Sequence, residues 1–537
     1  MKRVINKKNI FLWVTIFIYS LITLAEFRYS RFTADSMLYI SIAEKYLSGN
    51  LKDAINGYWG PFLAWLIAPL LFLGVSDVMT VNIIDLISGV LIFISIWKLL
   101  ERLGVSDWMR DISILTSLPV VVWFSLVQPM DILLTGIVAI YLVVILRDDY
   151  SERIINGILC GILGSLVYFT KSYGFPFFIT HFLSMNLFYF IKERINKQRV
   201  LKNAIAGFVV FFLISGIWIG LISDKYGYLT FSTMSDKNFN LPPPEALNKG
   251  REFNVPVFYK GFFAPPNETA FVVWEDPSYL EGNKWKPWHS IVHFKHFMKL
   301  LFKNMIETIE IFNDYSFFSI AIIATVLLLI FEKIPQFQRE RLILFYILFT
   351  MTLYTGGYLI FHVEERYLWI VDILLLVTGG YIINFLIKNA YIKNLTARFI
   401  LLFFFVISFT IIPIKSIIQA RGMGNMDYEM HELSLELKEY NIKGNIASNR
   451  LGPHNHDAWH KTFRLAYWLG CRYYGQPAEG ITDNELEAEL RRYNIDYYFL
   501  WGESPYIPGF LQRHKEITGG KIDGVKIFSL KEMVGKG

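Results

Sequence analysis

The sequence has almost no cysteine, since Cys160 and Cys471 are the only two among 537 residues. Two cysteines so far apart provide neither a disulfide framework nor the spacing of a metal site. They leave the redox compartment open. The sequence also lacks a heptad array, a low-complexity tract and a repeat of fixed period. A coiled coil, a disordered chain and a repeat protein are therefore excluded.

Charge is scarce as well. Asp, Glu, Lys and Arg make up 18% of the residues, whereas hydrophobic residues make up 54% and the mean hydropathy is +0.38. This balance is typical of a polytopic α-helical membrane protein. The formal net charge of +6 does not point to nucleic acid as a partner. In a membrane protein the placement of Lys and Arg carries more information than their sum.

Apolar runs long enough to cross about 30 Å of hydrocarbon predict eleven spans. They lie at 10–27, 78–98, 111–127, 130–146, 154–170, 174–191, 204–222, 316–332, 342–361, 367–387 and 398–413. The first follows a basic head and lacks a small-residue cleavage site, so we interpret it as a retained span. The run Gly60–Gly74 is shorter and contains Pro69. We predict a re-entrant or interfacial segment there.

The distribution of basic residues predicts the orientation. With the N-terminus in the cytoplasm, the clusters at 192–202 and 333–341 fall on the inner side, as the positive-inside rule requires. A full span at Gly60–Gly74 would place both clusters outside. We therefore predict a multi-pass protein of the cell membrane whose C-terminal segment is extracytoplasmic.

Two large segments then face the outer side. We expect a transmembrane domain over 1–414, with an outer loop at 28–60 and a large outer loop at 223–315, and an extracytoplasmic α/β domain over 415–537. The predicted elements of that domain are helix Tyr428–Tyr440, strand Asn445–Ser448, helices Thr462–Tyr473 and Asp483–Tyr493, and strands Ile495–Trp501 and Val525–Leu530.

The short outer turns contain a small set of ionisable residues. Asp35 follows the first span, Asp131 lies between the third and fourth, and Lys171 lies between the fifth and sixth. The turn after the ninth span contains His362, Glu364, Glu365 and Arg366. Ionisable groups at a membrane edge are costly unless they are paired or functional. Because the topology places all of these turns on one face, we predict a shared site.

Such a set suits sugar transfer from a lipid phosphate. One carboxylate can remove a proton from an attacking hydroxyl or amine, while the cations neutralise the departing phosphate. Each residue also has a structural explanation. Asp35 opens an amphipathic segment that is predicted to lie on the membrane surface. Asp35 and Asp131 could each cap a helix. Lys171 and Arg366 could extend to the lipid headgroups.

The order of the segments around this set resembles a known family. The stretches NGYWGPFLAWLIAPLLFLG, QPMDILLTGIVAIYLVVILR, GILGSLVYFTKSYGF and EERYLWIVDILLLVTGG follow one another as in the GT-C superfamily of integral membrane glycosyltransferases. The resemblance covers about residues 10–390 and is to polyprenyl-phosphate-sugar users related to protein mannosyltransferases and aminoarabinose transferases. It implies catalytic roles for Asp35 and Asp131, with Asp35 as base or acceptor-orienting group. It also implies donor phosphate contacts for Lys171, Arg366 and Tyr367.

The resemblance further implies a polyprenyl-phosphate-sugar donor and a lipid, glycan or protein acceptor. Many members have a pair of acidic residues where this chain has Asp35 and Ser36. The residues therefore leave a divalent metal open without supporting it. A WWD-type acceptor motif is absent, which argues against transfer of a whole glycan to Asn.

Other residues are weaker candidates. Glu364, Glu365 and the stretch Trp274, Glu275 and Asp276 could contact a sugar, although an Asp-Pro turn explains the stretch equally well. Two groups could hold a metal: His289, His293 and His296, which also suit a basic helix on the membrane, and His454, His456, Asp457 and His460. A transporter or flippase, and a noncatalytic scaffold that does not need Asp35, are the alternatives to an enzyme.

Overall fold

The protein is described by a computed structural model, which is mainly helical. The described residues are 9–25, 32–192, 197–234, 244, 256–280, 285–331, 338–422, 426–452, 455–503 and 505–531. They form two compact units. The first, the membrane unit, comprises Met1–Arg31, Gly60–Ser232 and Lys286–Met423. The second unit comprises Phe32–Trp59, Thr233–Trp285 and Gly424–Gly537.

Apolar helices make up the membrane unit, and each predicted run contains one. Their bounds are Ile10–Ala25, Pro61–Phe72, Asp77–Arg102, Asp107–Val127, Pro129–Ile145, Ile154–Thr170, Gly174–Lys192, Lys197–Tyr226, Ile291–Tyr315, Ser319–Phe331, Gln338–Leu359, Trp369–Lys388 and Leu395–Gly422. Seven of those described are long and apolar enough to cross a membrane, or eight with one bent pair. The chain is an integral multi-pass protein, and the predicted count of eleven spans is not confirmed.

The run Gly60–Gly74 forms a short helix, Pro61–Phe72. Its 12 residues extend about 18 Å, less than the hydrocarbon thickness. Gly60 precedes it because a Cβ there would lie 2.2 Å from the carbonyl oxygen of Phe169. The helix therefore begins against the end of helix Ile154–Thr170. Its re-entrant or interfacial placement stays a prediction.

Part of the predicted outer loop at 223–315 is helical. Helix Ile291–Tyr315 occupies its last 25 residues and joins helix Ser319–Phe331 at a bend of 97°. The LPPPE stretch at 241–245 lies almost wholly outside the described residues. Sequence reasoning included this region in an outer loop, and it allowed a basic helix on the membrane only around His289, His293 and His296.

A five-stranded mixed sheet organises the second unit. The strands are β1 (Asn445–Ser448), β2 (Arg472–Tyr473), β3 (Tyr497–Trp501), β4 (Lys515–Glu516) and β5 (Val525–Ser529), in the order β2-β1-β3-β5-β4. β1 is parallel to β2 and β3, whereas β5 is antiparallel to β3 and β4. The helices of this unit are Ala34–Leu47, Leu51–Ala54, Met426–Leu437, Asp457–Leu469 and Asp483–Arg492. The predicted α/β character is confirmed.

Among the predicted elements of this unit, one helix differs most from its observed bounds. The helix expected at Thr462–Tyr473 begins at Asp457 and ends at Leu469. Gly470 adopts a φ of 64°, and the amide of Cys471 donates back to the carbonyl of Ala466 at 2.8 Å. A glycine in this left-handed conformation ends a helix. The chain is thereby released to form β2.

Most of the outer loop at 28–60 and the stretch Thr233–Trp285 of the large outer loop belong to the second unit. Phe262 is packed in the core of the sheet, and the amide of Phe263 donates to the carbonyl of Tyr474 at 2.8 Å. Phe32 stacks near Tyr467, with ring centroids 5.7 Å apart. The compact units therefore divide the chain differently from the boundary at 414. The division into a transmembrane domain over 1–414 and an extracytoplasmic domain over 415–537 stays a prediction.

The orientation can be tested with cysteine labels, because Cys160 and Cys471 are both buried and give little background. With a membrane-impermeant maleimide applied to cells, we expect Lys521→Cys to react and Lys202→Cys to react only after permeabilisation. Both positions are exposed in the structure. Reaction of Lys202→Cys alone in intact cells would contradict the predicted orientation.

Candidate active site

An ion cluster lies where three turns of the membrane unit meet. The Lys171 Nζ donates to Asp131 Oδ1 at 2.7 Å, and an Arg366 terminal nitrogen lies 3.6 Å from Asp131 Oδ2. The side chain of Asp131 is fully buried, and that of Lys171 is 6% exposed. A carboxylate at such depth requires a cation, and here it has two. The predicted convergence of these three residues is therefore seen in the structure.

Local sequence explains the position of each member. Gln128 and Pro129 begin helix Pro129–Ile145, which places Asp131 in its first turn, where the helix dipole favours a carboxylate. Lys171 ends helix Ile154–Thr170. Arg366 lies in a short 3-10 turn, Glu365–Leu368, that leads into helix Trp369–Lys388.

These contacts exclude two of the structural explanations. Helix Pro129–Ile145 has Gln128 at its N-cap, so Asp131 is not the cap of a helix starting at Ile132. Lys171 is buried against Asp131 and does not extend to the headgroups. Burial lowers the pKa of the Lys171 ammonium, and Asp131 opposes that change. Asp131 therefore favours the charged form of Lys171.

Arg366 is the more exposed cation of the cluster, at 26% against 6% for Lys171. Its Nε donates to Glu364 Oε2 at 2.6 Å. Burial would raise the pKa of Glu364, but hydrogen bonds and charge from His362 and Arg366 outweigh it and lower this pKa to about 2. Glu364 thus stays ionised at neutral pH and holds the guanidinium on the turn.

A row of tyrosines borders the cluster. The Lys171 Nζ lies 3.7 Å from the ring centroid of Tyr367, a cation–π contact. Tyr367 stacks on Tyr358 with centroids 5.1 Å apart, and Tyr358 packs on Tyr173 at 4.1 Å. Gly357 permits this packing, because a Cβ there would lie 2.2 Å from the Tyr173 hydroxyl.

Sequence reasoning missed Tyr173 and Tyr358. A signal was present, since Tyr173 follows Lys171 by two residues and Tyr358 follows Tyr354 by four. Residues four apart share one face of a helix. The pairing across two helices could not be deduced from either spacing.

Glu365 faces a different partner from Glu364. Its Oε1 accepts from the indole nitrogen of Trp369 at 3.3 Å, and its carbonyl accepts from the hydroxyl of Tyr315. Trp369 stacks on Phe124 with centroids 4.4 Å apart. These contacts fix the turn that carries Arg366. A substrate contact by Glu364 or Glu365 stays a prediction.

Asp35 belongs to the second unit, in the first turn of helix Ala34–Leu47. The alternative that Asp35 caps this helix is wrong, because Thr33 is the N-cap and accepts from the Ser36 amide at 3.4 Å. Nor is the helix a one-sided surface helix, since every residue from Ser36 to Ala43 is buried. The half-buried Asp35 is therefore presented by a firmly packed helix.

That helix is anchored to the stretch containing Trp274, Glu275 and Asp276. Lys45 forms a buried ion pair with Glu275, whose other oxygen accepts from the Phe271 amide at 2.6 Å. Burial raises the pKa of Glu275, and Lys45 opposes the rise.

The neighbours of Glu275 in the sequence, Trp274 and Asp276, also form hydrogen bonds. The Trp274 carbonyl accepts from the indole of Trp59 at 3.0 Å, and Asp276 caps a short turn at Ser278. These bonds support the Asp-Pro turn interpretation of the stretch. A sugar contact by Trp274, Glu275 or Asp276 stays a prediction.

The described histidines of the two groups are not placed to share a metal ion. Among the described residues, no three His, Cys, Asp or Glu side chains are placed to hold a metal ion. His289 and His293 lie at the start of helix Ile291–Tyr315, where His293 bonds Ser290 at 2.8 Å. His456 stacks on Phe258, with centroids 4.1 Å apart. His454 lies outside the described residues.

Comparison with solved structures identifies the fold of this chain. The crystal structure of ArnT from Cupriavidus metallidurans, bound to undecaprenyl phosphate, matches with a TM-score of 0.53 and 11% identity. The match covers 96% of this chain and 97% of that chain. The chain has the GT-C fold.

A second solved structure is the arabinofuranosyltransferase AftD from Mycobacteria. It has a TM-score of 0.49 and 10% identity, and the match covers 97% of this chain and 41% of that chain. No family model and no curated protein matches the sequence. The GT-C fold that the resemblance implied is confirmed by the match to ArnT.

The pairing of Lys171 with Asp131 can be tested by a double-mutant cycle. Lys171→Met leaves a buried carboxylate without its closest cation, so we expect the free energy of unfolding to fall by about 3–5 kcal/mol. Lys171→Met combined with Asp131→Leu removes both charges and should recover most of that loss. Chemical unfolding in detergent measures each variant.

The matched control is Lys98→Met, whose ion pair with Glu101 is about half exposed. That change should shift the free energy of unfolding by no more than about 1 kcal/mol. Additive losses from the two substitutions at Lys171 and Asp131 would show that the residues do not stabilise each other.

Proposed function

We propose that this protein is a membrane glycosyltransferase that moves a sugar from a polyprenyl-phosphate donor to an extracytoplasmic acceptor. The observation that carries the proposal is the buried Asp131 between Lys171 and Arg366, at the end of apolar helices in a GT-C fold. A lipid-linked phosphate is an anion that approaches from the membrane. A cation held at a membrane edge suits it.

Arg366 makes the direct phosphate contact in this proposal. Its 3.6 Å separation from Asp131 is longer than a hydrogen bond, and it is the more exposed of the two cations. The guanidinium can turn toward a phosphate while Lys171 continues to neutralise Asp131. A guanidinium binds two phosphate oxygens at once, which fixes the orientation of the ligand. Tyr367 borders the same space through its contact with Lys171.

Asp131 and Lys171 act as positioning residues. A fully buried carboxylate that already binds an ammonium is poorly placed to remove a proton from an acceptor arriving from water. Asp131 instead holds Lys171 and contributes to holding Arg366. This division supports the prediction that a different carboxylate, Asp35, serves as the base.

The reaction itself is a substitution at the anomeric carbon of the sugar. The acceptor oxygen or nitrogen forms a bond to that carbon while the bond from carbon to phosphate oxygen breaks. The leaving phosphate keeps the electron pair, and its growing negative charge is stabilised by Arg366. Asp35 takes the proton from the acceptor. The balance is complete without a metal or another cofactor.

The acceptor remains a lipid, a glycan or a protein. The GT-C fold does not favour the alternative of a transporter or flippase. A scaffold would have no need of a polar site at the membrane edge, and the ion cluster argues against it.

Transfer assays on base-deficient variants test the proposal. Purified protein is incubated with a panel of radiolabelled polyprenyl-phosphate sugars and a membrane extract that supplies acceptors. We expect label to leave the donor lipid, and Asp35→Asn to lower turnover by about 10²–10⁴-fold through loss of the base. Asp131→Asn should have a smaller effect on turnover per folded molecule.

The matched control is Asp523→Asn, an exposed carboxylate of the second unit, which should transfer as the wild type does. Wild-type turnover in a folded Asp35→Asn sample would overturn the role of Asp35. Failure of the wild type to consume any donor of the panel would argue against the function.

A further inference from the structure

Helix Ile291–Tyr315 exposes an unusual amount of apolar surface. Seven of its apolar side chains are between 45% and 65% exposed. Val292 lies apart from the other six, which form one stripe: Ile291, Phe294, Met298, Phe302, Met305 and Ile309. Its buried residues are instead Asn304, Thr308 and Tyr315. Asn304 donates to the carbonyl of Leu359 at 2.8 Å. The helix thus packs through a largely polar edge, and the described part of the chain leaves its apolar stripe uncovered.

Three exposed lysines lie beside that stripe. Lys295, Lys299 and Lys303 follow one another at intervals of four residues, and Lys303 lies 3.4 Å from Glu307. At 3.6 residues per turn, the packed edge and the lysine row lie on opposite sides of the stripe, each about 100° from it around the helix axis. We call Lys295, Lys299 and Lys303 the lysine row.

The bend after helix Ile291–Tyr315 indicates how this helix lies relative to the membrane. Helix Ser319–Phe331 is uniformly apolar and meets helix Ile291–Tyr315 at 97°. If the apolar helix runs along the membrane normal, the other lies in the membrane plane. Its stripe then faces the acyl chains, and the lysine row lies at headgroup level. This arrangement is that of an interfacial amphipathic helix.

We propose that the lysine row binds anionic phospholipid headgroups and thereby holds this helix on the membrane surface. Zwitterionic headgroups supply no net charge to match three ammonium groups in a row, whereas anionic headgroups do. The stripe supplies affinity for any bilayer, and the lysines supply selectivity for an anionic one. The inference does not depend on the proposed sugar transfer.

Distance separates this surface from the ion cluster. Tyr315 donates to the carbonyl of Glu365, beside Arg366, and Lys303 lies twelve residues earlier, about 18 Å along the helix. That is more than a Debye length at physiological salt, about 8 Å. Substitutions in the lysine row therefore leave the charge balance at Arg366 intact.

Amide hydrogen exchange of the full chain in nanodiscs tests this proposal. Exchange over residues 291–303 is compared between phosphatidylcholine alone and phosphatidylcholine mixed with phosphatidylglycerol. Three lysines near an anionic surface should slow exchange by about a hundredfold in the mixed bilayer. High salt should remove most of the difference.

Two triple variants identify the lysines. K295Q/K299Q/K303Q should lose the difference between the two bilayers, whereas K295R/K299R/K303R should keep it. K515Q/K521Q/K526Q removes the same charge at exposed positions of the second unit and should behave as the wild type does. Equal exchange of the wild type in both bilayers would overturn the proposal. So would an equal loss in the lysine-row and control Gln variants.

Discussion

A carboxylate buried at the edge of a membrane must be neutralised, and the membrane unit is arranged around that requirement. Asp131 has no exposed side-chain surface, so it brings Lys171 from one turn and Arg366 from another to its two oxygens. Each of these turns is also fixed by contacts outside the ion cluster. Gly60 lets a short helix begin against the chain before Lys171, and Trp369 anchors the turn of Arg366. The helices thus hold Lys171 and Arg366, whose like charges repel each other, beside Asp131.

The same arrangement separates the roles of the charged groups. Lys171 is buried and donates a hydrogen bond to Asp131, whereas Arg366 is partly exposed and donates one to Glu364. A buried ion pair fixes the position of the residues around it, whereas a partly exposed guanidinium can bind a ligand. In the second unit, the buried pair of Lys45 and Glu275 anchors the helix that presents Asp35. Each unit therefore uses one buried ion pair to position a less buried functional candidate.

Much of this could be predicted from the sequence. Apolar runs predicted the helices, and charge at their ends predicted that Asp131, Lys171 and Arg366 converge. The strand Asn445–Ser448 was placed at its observed bounds, which lie between Gly444 and Asn449.

Other features depend on contacts between distant parts of the chain. Phe262 fills the core of a sheet whose strands begin more than 180 residues later, so no local pattern could assign its loop to the second unit. The packing of Tyr358 on Tyr173 and the burial of the helix carrying Asp35 also depend on contacts that no local pattern shows. Helix Ile291–Tyr315 was anticipated only as a basic helix around its first histidines, and its full length was missed because its lysines lower the hydropathy on which span prediction relies.

Binding of a radiolabelled polyprenyl phosphate tests the central claim, that this ion cluster receives a lipid phosphate. Wild-type protein should bind it more tightly than the uncharged polyprenol. Arg366→Gln should weaken binding by about 1.5–3 kcal/mol, the range for a hydrogen bond to a charged group, and Arg366→Lys should lie between the two. Equal affinity of the wild type and Arg366→Gln for the phosphate, or equal affinity of the wild type for phosphate and alcohol, would contradict the claim.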